Sequence, residues 1–413
     1  MEGRRGGPRR IGRRDRRRDR RRDPGRVQLP RPLRGGLRRA SLRGGDRRAA
    51  QARPRERPPR RVARRLRPYG QRYEGPRTSP LARRRRHRHG RGHTGRGARC
   101  VEVVAVGELR VRVPASSANL GPGFDSFAIA LPLLAEFDLR PARAWSVSID
   151  GGASDQDNGM ENGTPTGEDN LFVVSARAAA EAAAETLGSY HVVQRSAIPV
   201  GRGLGSSAAA IVGGVVAANA LMGEPLDRRT LLRVASEVEG HADNVAAALY
   251  GAFTVALPSD DGPVATRIAF PRSWRICLFI PREPLTTEKA RAVLPANVSR
   301  ADAVFNIAHA AALLAAVLRS DGALLSIAMA DRLHQPARAQ LVTGLNDIIA
   351  AARGAGAFGA ALSGAGPAVV AFAPARLAAR VVEAMEEAAH AVGTSGRGRV
   401  VRVRAAGAQV QRS

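Results

Sequence analysis

The pattern of hydrophobic and polar positions is regular only beyond residue 100. Alternation with a period of two predicts strands at Leu109–Pro114 and Trp145–Asp150. An Ala-rich stretch predicts a helix over Leu171–Leu187, with Gly188 as its stop. Ser206–Leu221 is apolar on nearly every side, which predicts a buried helix. The first half of this region is therefore expected to be mixed α/β.

The mixed pattern continues towards the end of the chain. A helix is expected from Asp227, whose side chain can cap it, to Glu239, where Gly240 provides the stop. Further strands are predicted at Arg275–Ile280, Pro367–Phe372 and Val400–Val403, with helices between them. The predicted fold class is therefore α/β (α+β), and the polar loop 258–263 is the expected internal boundary.

Residues 1–100 show neither the hydrophobic period of a strand nor that of a helix. They also carry the charge imbalance of the chain. They contain 38 Arg, no Lys and 7 acidic residues, whereas residues 101–413 have a formal net charge of −1. Pro and Gly interrupt every potential helix, so this segment cannot bury enough apolar surface to offset its ordering entropy. We expect a disordered Arg-rich extension. Because the remainder is nearly neutral, the chain is not a uniformly basic nucleic-acid-binding protein.

Two origins of this extension are open. Its Arg, Gly, Pro and Ala content is typical of reading a GC-rich genome upstream of a gene, and it includes acidic residues such as Asp15 and Asp19 that an organelle transit peptide would avoid. We hypothesise that translation begins near Val101–Val106 and that residues 1–100 are not translated. The alternative is a genuine disordered arm. Nucleic-acid binding by this arm is not expected, because Tyr69 and Tyr73 are its only aromatic residues.

The cysteine content and the apolar runs predict a cytoplasmic chain without a membrane span. Cys100 and Cys277 are the only cysteines, which excludes a disulfide framework and a cysteine-based zinc site. The longest uncharged apolar stretch in the helical region, near Ala308–Leu318, is too short to span a bilayer. The basic N-terminal segment contains no apolar run of the kind that a secretory signal needs.

The strongest local motif is the glycine loop, residues 199–209 (PVGRGLGSSAA). Gly201, Gly203 and Gly205 allow the backbone to approach an anion closely, and Ser206 and Ser207 then begin the buried helix. Backbone N–H groups of the loop and of the helix N-terminus would bind phosphate, and serine hydroxyls can ligate Mg²⁺. The alternative is a tight turn whose glycines serve only packing.

The lysine content excludes two common nucleotide sites. The only lysine, Lys289, is far downstream of the glycine loop, whereas a Walker A loop needs Lys directly after its glycines and a protein kinase needs Lys on a strand. The dinucleotide-binding pattern also fails, because the third glycine one turn into the helix is missing. The motif therefore indicates a phosphate site of another kind.

Two further segments flank the glycine loop in chain order, residues 113–126 (VPASSANLGPGFDS) and 362–368 (LSGAGPA). Together the three segments resemble the signature segments of the GHMP kinases, which phosphorylate small molecules. Within that superfamily, the first segment and residues 239–244 (EGHADN) resemble those of the homoserine kinases. The resemblance covers about residues 107–405, which is nearly all of the chain outside the Arg-rich extension.

The resemblance implies a two-lobed fold with the active site between the lobes. The N-terminal lobe, 107–258, would be a ribosomal-protein-type α/β lobe that binds ATP, and the C-terminal lobe, 270–405, would be ferredoxin-like. The implied reaction is ATP-dependent phosphorylation of the side-chain hydroxyl of L-homoserine to O-phospho-L-homoserine, a step of threonine biosynthesis. A GHMP kinase with a different alcohol substrate is the alternative. Members of the family are often dimers, so the resemblance also implies a homodimer.

The resemblance assigns partners to the charged groups of the substrate. Asp125 would accept the ammonium group, and Arg291 and Arg338 would bind the carboxylate through their planar guanidinium groups. The remaining candidate substrate-binding residues are Asn119, His241, Asn244 and Gly366. Plain structural alternatives exist for most of them: Asx turns for Asn119 and Asp125, solvated helix positions for the arginines, and a helix cap for His241.

Candidate residues for the nucleotide and the metal follow in the same way. The expected ATP-binding residues are Pro199, Val200, Gly201, Arg202, Gly203, Leu204, Gly205, Ser206, Ser207, Ala208, Ala209 and, near the adenine, Asn170. Ser207 and Glu239 match the Mg²⁺ ligands of the family. Glu237 is a competing candidate, but residues two apart on a helix do not share a face, so only one of the two carboxylates is expected to reach the metal.

Catalysis is expected to depend on Ser207, Glu239 and Asn244, without a side-chain general base. Mevalonate kinases place an aspartate where this chain has Asn244, and an amide cannot act as a base at neutral pH. Phosphoryl transfer through a loose transition state depends mainly on alignment and charge stabilisation. We therefore expect direct in-line transfer to the substrate hydroxyl, which loses its proton late.

Overall fold

The structure is a computed structural model that describes residues 108–150 and 164–412. Within these residues it has two β-sheets flanked by α-helices, which confirms the mixed α/β class expected from the sequence. The Arg-rich extension expected over 1–100 lies outside the described residues.

The first sheet joins seven strands and forms the base of the N-terminal lobe. These strands are β1 (Leu109–Asn119), β2 (Gly123–Pro141), β3 (Ser146–Ile149), β4 (Tyr190–Ser196), β5 (Phe253–Leu257), β6 (Val264–Ile268) and β11 (Gln409–Arg412). The order across the sheet is β11, β1, β2, β4 and β3, and β5 pairs with both β2 and β6. Burial alternates over Leu131–Leu139 of β2, because one face packs on the core while the other is partly exposed.

Four helices pack with this sheet. They are α1 (Leu171–Ala183), α2 (Ser206–Leu221), α3 (Arg228–Glu239) and α4 (Asp243–Tyr250). Helix α2 has the bounds that the sequence predicts and is buried along most of its length. The side chain of Asp227 accepts a hydrogen bond from the Thr230 N–H at the start of α3, and Gly240 ends this helix in the left-handed conformation. The capping chemistry predicted for α3 is therefore confirmed.

The second sheet has four antiparallel strands in the order β10, β7, β9 and β8. Its strands are β7 (Trp274–Pro281), β8 (Gly359–Leu362), β9 (Val369–Pro374) and β10 (Gly396–Val401), and helices α9 (Leu345–Gly354) and α10 (Ala378–Ala391) pack against it. This β-α-β-β-α-β order is the ferredoxin-like arrangement expected for the C-terminal lobe. The other helices of this part of the chain are α5 (Thr287–Ala292), α6 (Arg300–Arg319), α7 (Gly322–Ala328) and α8 (Gln335–Arg338).

The lobe boundaries in the structure differ from the predicted division into 107–258 and 270–405. Loop 258–263, expected to separate the lobes, instead connects β5 and β6 as a hairpin of the first sheet. Beyond β10, the Arg404 N–H donates to the Ala130 carbonyl oxygen, and β11 then pairs with β1. The end of the chain thus returns to the first sheet, where pairing covers backbone groups of β1 that an open edge would expose.

Helix α6 is longer than the apolar stretch that the sequence analysis singled out. It has 20 residues, and by length and mean hydropathy of 1.7 it could cross a membrane. One such helix among the described residues is weak evidence for a span, because the criterion rests on length and composition alone. Leu313 and Val317 are buried, whereas Val304, Ile307 and Leu318 are exposed. One apolar side of α6 therefore packs into the fold and another faces outwards.

Packing between α1 and α2 depends on a glycine, which gives a first testable expectation. A Cβ at Gly214 would lie 2.1 Å from the backbone carbonyl oxygen of Phe172, so α1 would have to shift. Overpacking of this kind costs about 1–3 kcal/mol. We expect Gly214→Ala to lower the thermal unfolding midpoint by about 3 °C or more, measured by circular dichroism.

Gly354→Ala is the matched control, because no atom lies within 4 Å of a Cβ built at this position near the end of α9. Its midpoint should stay unchanged or rise, since alanine favours a helix more than glycine does. Equal midpoints for Gly214→Ala and the unmodified protein would contradict the close packing.

Candidate active site

A cavity of about 280 Å³ lies beside the glycine loop. Its lining includes loop residues 199–201 and 203–205, the start of α2, the turn after α3, and positions from α5, α8 and the loop that follows β8. Six titratable side chains line it: Asp125, Glu239, His241, Asp243, Arg291 and Arg338. The cavity therefore brings together residues from both parts of the fold.

The glycine loop packs directly against residues 363–366, which follow β8. Gly203 has a φ of 68°, and a Cβ there would lie 2.2 Å from the Ser363 carbonyl oxygen and 2.8 Å from the Gly366 nitrogen. Only glycine fits this position. The Ser363 Oγ donates to the Gly203 carbonyl oxygen at 2.7 Å, so the Ser117 Oγ, also 2.7 Å away, donates to Ser363. These contacts fix one wall of the cavity.

The β1–β2 turn holds Asn119 and Asp125 in the left-handed backbone conformation, with φ of 67° and 53°. Asn119 Oδ1 accepts from the Asp125 N–H at 3.0 Å, while its Nδ2 donates to the Gly364 carbonyl oxygen at 2.8 Å. Strained positions of this kind concentrate at functional sites. Asp125 forms a bidentate ion pair with Arg291, whose Nη2 and Nη1 donate to the two carboxylate oxygens at 2.8 and 3.2 Å. The two groups predicted to bind opposite ends of the substrate therefore contact each other.

Arg338 is a buried cation, with 1% relative exposure. Its Nε donates to the Ala290 carbonyl oxygen and its Nη1 to the Gly364 carbonyl oxygen, both at 3.1 Å. Burial, reinforced by nearby Arg291, lowers the pKa of Arg338 to about 10. The guanidinium is still protonated at neutral pH. Because the side chain is buried, the alternative that Arg338 occupies a solvated helix position does not apply. A planar buried cation suits a carboxylate.

Polar contacts connect the start of α2 to the start of α4. Ser207 Oγ donates to Glu239 Oε1 at 2.6 Å. His241 lies between two carboxylates, with Nδ1 2.6 Å from Asp243 Oδ1 and Nε2 3.8 Å from Glu239 Oε1. Burial opposes a charged imidazole, but the two carboxylates outweigh it and raise the pKa of His241 to about 9. His241 is therefore a cation at neutral pH.

The two carboxylates beside His241 differ in their protonation behaviour. Burial raises the pKa of Glu239 above its ordinary value, although His241 and Ser207 act against this shift. Burial also acts to raise the pKa of Asp243, but the short contact with His241 outweighs it and lowers that pKa. Asp243 is the firmly ionised member of the pair, and Glu239 is the one whose charge needs a further cation.

Comparison with known proteins identifies the family. Residues 170–252 match the model described as GHMP kinases N terminal domain, and residues 313–391 match GHMP kinases C terminal. The homoserine kinase of Desulfitobacterium hafniense is 38% identical over 302 residues, which are 73% of this chain and 99% of that protein. The chain belongs to the homoserine kinase family.

Two more homoserine kinases agree with this assignment. That of Deinococcus radiodurans is 45% identical over 264 residues, 63% of this chain and 83% of that protein. The crystal structure of homoserine kinase from Cytophaga hutchinsonii is 30% identical, has a TM-score of 0.66, and the match covers 74% of this chain and 97% of that chain. Since GHMP kinases use ATP, the glycine loop of this homoserine kinase family member is the candidate site for its phosphates.

Most residues predicted from the homoserine kinase resemblance lie on the cavity. These are Asn119, Asp125, Asn170, Pro199, Val200, Gly201, Gly203, Leu204, Gly205, Ser206, Ser207, Glu239, His241, Asn244, Arg291 and Arg338. Glu237 is exposed and pairs with Arg233, so Glu239 is the carboxylate that faces Ser207. Asn170 also caps α1, because its Oδ1 accepts from the Phe172 N–H.

Four predicted residues do not line the cavity. The Arg202 side chain donates to the carbonyl oxygens of Val200 and Arg282 and lines a second, smaller cavity instead. Ala208 and Ala209 are turned into the core of the first lobe, as expected for a helix that is apolar on every side. Gly366 lies behind the loop, where its N–H donates to the Ser363 carbonyl oxygen. The side chains of Arg202, Ala208 and Ala209 therefore do not reach the cavity, whereas ligand contacts through the backbone groups of these four residues stay a prediction.

Asp243 and Gly364 were missed as site residues. Asp243 stands two residues after His241 in the segment that carried the homoserine kinase resemblance, and a carboxylate beside a histidine was the available signal. The carbonyl oxygen of Gly364 accepts from both Asn119 and Arg338. No sequence pattern identifies a backbone carbonyl that two distant side chains share.

The contact of Gly203 with the opposing loop leads to a kinetic expectation. In Gly203→Ala a methyl group would meet a carbonyl oxygen, so the glycine loop, the candidate phosphate site, must move away from its position beside the cavity. Because a lost hydrogen bond to a charged group costs about 1.5–3 kcal/mol, we expect the KM for ATP to rise at least about tenfold, measured by steady-state kinetics.

Gly223→Ala separates this contact from backbone strain alone. Gly223 also has a positive φ, 82°, but no atom lies within 4 Å of a Cβ built there. This variant should keep the KM for ATP of the unmodified protein. The same KM in Gly203→Ala would refute the role of the contact.

Proposed function

We propose that this chain transfers the γ-phosphoryl group of ATP to the side-chain hydroxyl of L-homoserine, which yields O-phospho-L-homoserine and ADP. The observation that carries the proposal is one cavity that contains a glycine loop at a helix N-terminus together with a carboxylate and two guanidinium groups. The loop suits phosphates. Asp125 suits an ammonium group, and Arg291 and Arg338 suit a carboxylate. The relatives named above are themselves homoserine kinases.

We also propose a pathway and a compartment for this reaction. O-phospho-L-homoserine is an intermediate of threonine biosynthesis, and we place the reaction in the cytoplasm. Cys277, the cysteine among the described residues, is a buried free thiol. A free thiol is compatible with a reducing compartment.

Ser207 and Glu239 have the donor atoms that Mg²⁺ prefers. Their hydroxyl and carboxylate oxygens are 2.6 Å apart at the start of α2, and burial makes the Glu239 charge costly without a cation. Among the described residues no cluster of three or more His, Cys, Asp and Glu is arranged to hold a metal, which suits a site completed by nucleotide phosphates. Ser207 and Glu239 would hold the ion, which stabilises charge on the phosphoryl oxygens.

Transfer is proposed to be direct and in line, without a side-chain general base. The Asn244 amide cannot take a proton at neutral pH, and its Oδ1 already accepts from Ser116 Oγ at 2.8 Å. His241 is protonated at neutral pH, and Asp243 is occupied by His241 and by the Asn244 N–H. Loop amides and Ser207 would therefore align the phosphoryl group, and the hydroxyl would lose its proton late.

Two variants separate the phosphate and carboxylate ends of the proposed site. Ser207→Ala should lower kcat at least about 100-fold with little change in the KM for homoserine, because it removes a contact to the transferred group. Arg338→Ala should raise the KM for homoserine at least about tenfold and leave the KM for ATP nearly intact. Steady-state kinetics of ADP release measure both.

The exposed Arg332, which pairs with Asp302 at 3.5 Å, provides the control. Arg332→Ala should keep both KM values. Weaker ATP binding in Arg338→Ala would contradict its carboxylate role, and an unchanged kcat in Ser207→Ala would contradict the phosphate role. Equal turnover of homoserine, mevalonate and galactose by the unmodified enzyme would reject homoserine as the substrate.

We also propose that the protein forms a homodimer through α6. Val304, Ile307, Ala311 and Leu318 are exposed along one side of this helix at helical spacing. The stripe from residue 304 to 318 spans about 21 Å at 1.5 Å per residue. Ile327 of the adjacent α7 is exposed as well. Exposed apolar side chains in such an arrangement are typical of an interaction site, and a second copy supplies the same side chains about a two-fold axis.

Light scattering coupled to gel filtration tests the dimer. The unmodified protein should elute as a dimer, and Ile307→Glu, which places a charge within the stripe, should elute as a folded monomer. Ala379→Glu adds the same charge at an exposed position of α10 and should remain dimeric. A monomeric unmodified protein that binds lipid vesicles would assign the stripe to a membrane surface and overturn the dimer.

A further inference from the structure

We infer that Phe124 is a positioning residue that holds the guanidinium groups of Arg291 and Arg338 in place for the substrate carboxylate. Phe124 is half-buried and is not part of the cavity lining, so it acts through the two arginines. The inference rests on the carboxylate roles proposed above for these arginines.

The ring of Phe124 lies against both cations. The guanidinium carbon of Arg338 is 5.3 Å from the ring centroid, and that of Arg291 is 5.8 Å away. Both distances fall within the roughly 6 Å range over which an aromatic ring attracts a cation electrostatically. Phe124 also immediately precedes Asp125, which forms the ion pair with Arg291. The ring is therefore placed to restrain both arginines at once.

A stacked histidine fixes the position of the ring. The imidazole of His334 lies 5.1 Å from the Phe124 ring, centroid to centroid, with the two planes 21° apart. His334 is fully buried, and its Nε2 donates to the Gly121 carbonyl oxygen at 2.8 Å. Its Nδ1 then accepts from Arg338 Nη1 at 3.3 Å, which only a neutral imidazole can do. Burial also lowers the pKa of His334, so this ring adds no third positive charge.

The arginines need such a support because they repel each other. The charge of Arg291 lowers the pKa of Arg338 by more than nearby Asp125 raises it, so the two cations still repel each other although Arg291 is paired with Asp125. Arg338 Nε also donates to the carbonyl oxygen of Ala290, the residue before Arg291. The hydrogen bond to the Ala290 carbonyl oxygen fixes Arg338 relative to α5. The face of Phe124 fixes the positions of the Arg291 and Arg338 guanidinium groups. Together these contacts pre-organise a carboxylate site.

The test compares Phe124→Leu with Phe124→Tyr, using L-homoserine and L-homoserine amide, which lacks the negative charge. Phe124→Leu should raise the KM for homoserine about tenfold, leave the KM for ATP within about twofold, and reduce the preference for homoserine over its amide by a similar factor. Phe124→Tyr keeps the ring face and should restore these values. A residue with only a structural role would not change the preference between two such similar substrates.

Phe305 offers a matched control within the chain. Its ring stacks on His309 at 3.7 Å, and the guanidinium carbon of Arg332 lies 3.9 Å from its centroid. Phe305 is not part of the cavity lining. Phe305→Leu therefore removes the same kind of aromatic contact and should leave the preference for homoserine unchanged.

Three results would overturn the inference, and they differ from one another. If Phe124→Leu keeps the full preference while Arg338→Ala loses it, the arginines bind carboxylate without help from Phe124. If Phe124→Leu and Phe124→Tyr both lower kcat and the unfolding midpoint with the preference retained, the ring has only a packing role. If the unmodified enzyme does not prefer homoserine to its amide, the carboxylate role proposed for the arginines fails, and the role of Phe124 fails with it.

Discussion

The glycine loop and residues 363–366 approach each other so closely that no side chain fits between them at Gly203. The rest of the site depends on this contact. The Ser363 hydroxyl donates a hydrogen bond to the Gly203 carbonyl oxygen. The Gly364 carbonyl oxygen accepts hydrogen bonds from Asn119 and Arg338. These contacts therefore fix the position of the glycine loop, which suits phosphate, relative to the residues that suit an amino acid. A shift of either loop would change both halves of the cavity together.

Charge balance within the cavity is a second constraint. Of its six titratable groups, three are acidic and three basic when His241 is protonated. Each buried charge has an opposite charge or a hydrogen-bonding group nearby, as low dielectric surroundings require. Asp243 stabilises His241, and Glu239 contacts Ser207. Glu239 is left with the least compensation, and it is the residue proposed to meet a metal ion.

Local chemistry explains which parts of the fold could be predicted from the sequence. The bounds of α2 and the caps of α3 depend on periodicity and on residues within one turn, so both were predicted. Loop 258–263 has the composition of any turn, and composition does not tell a hairpin from a linker. The pairing of β11 with β1 joins segments about 300 residues apart in the chain, and no local pattern specifies it. The resemblance identified most residues that line the cavity, but the ion pair of Asp125 with Arg291 and the ring contacts of Phe124 became visible only in three dimensions.

The ion pair between Asp125 and Arg291 has a consequence for how the proposed site would accept an amino acid. The pair is partly exposed, 23% for the Asp125 side chain and 38% for that of Arg291, so its net contribution to stability is about 1 kcal/mol or less. A zwitterion can replace it by offering a new counterion to each member. A simple amine or a simple acid would satisfy one member and leave the other charge without its partner. With the roles proposed for Asp125 and Arg291, recognition of the two ends of the amino acid is coupled: neither end would bind at full strength unless the other binds as well.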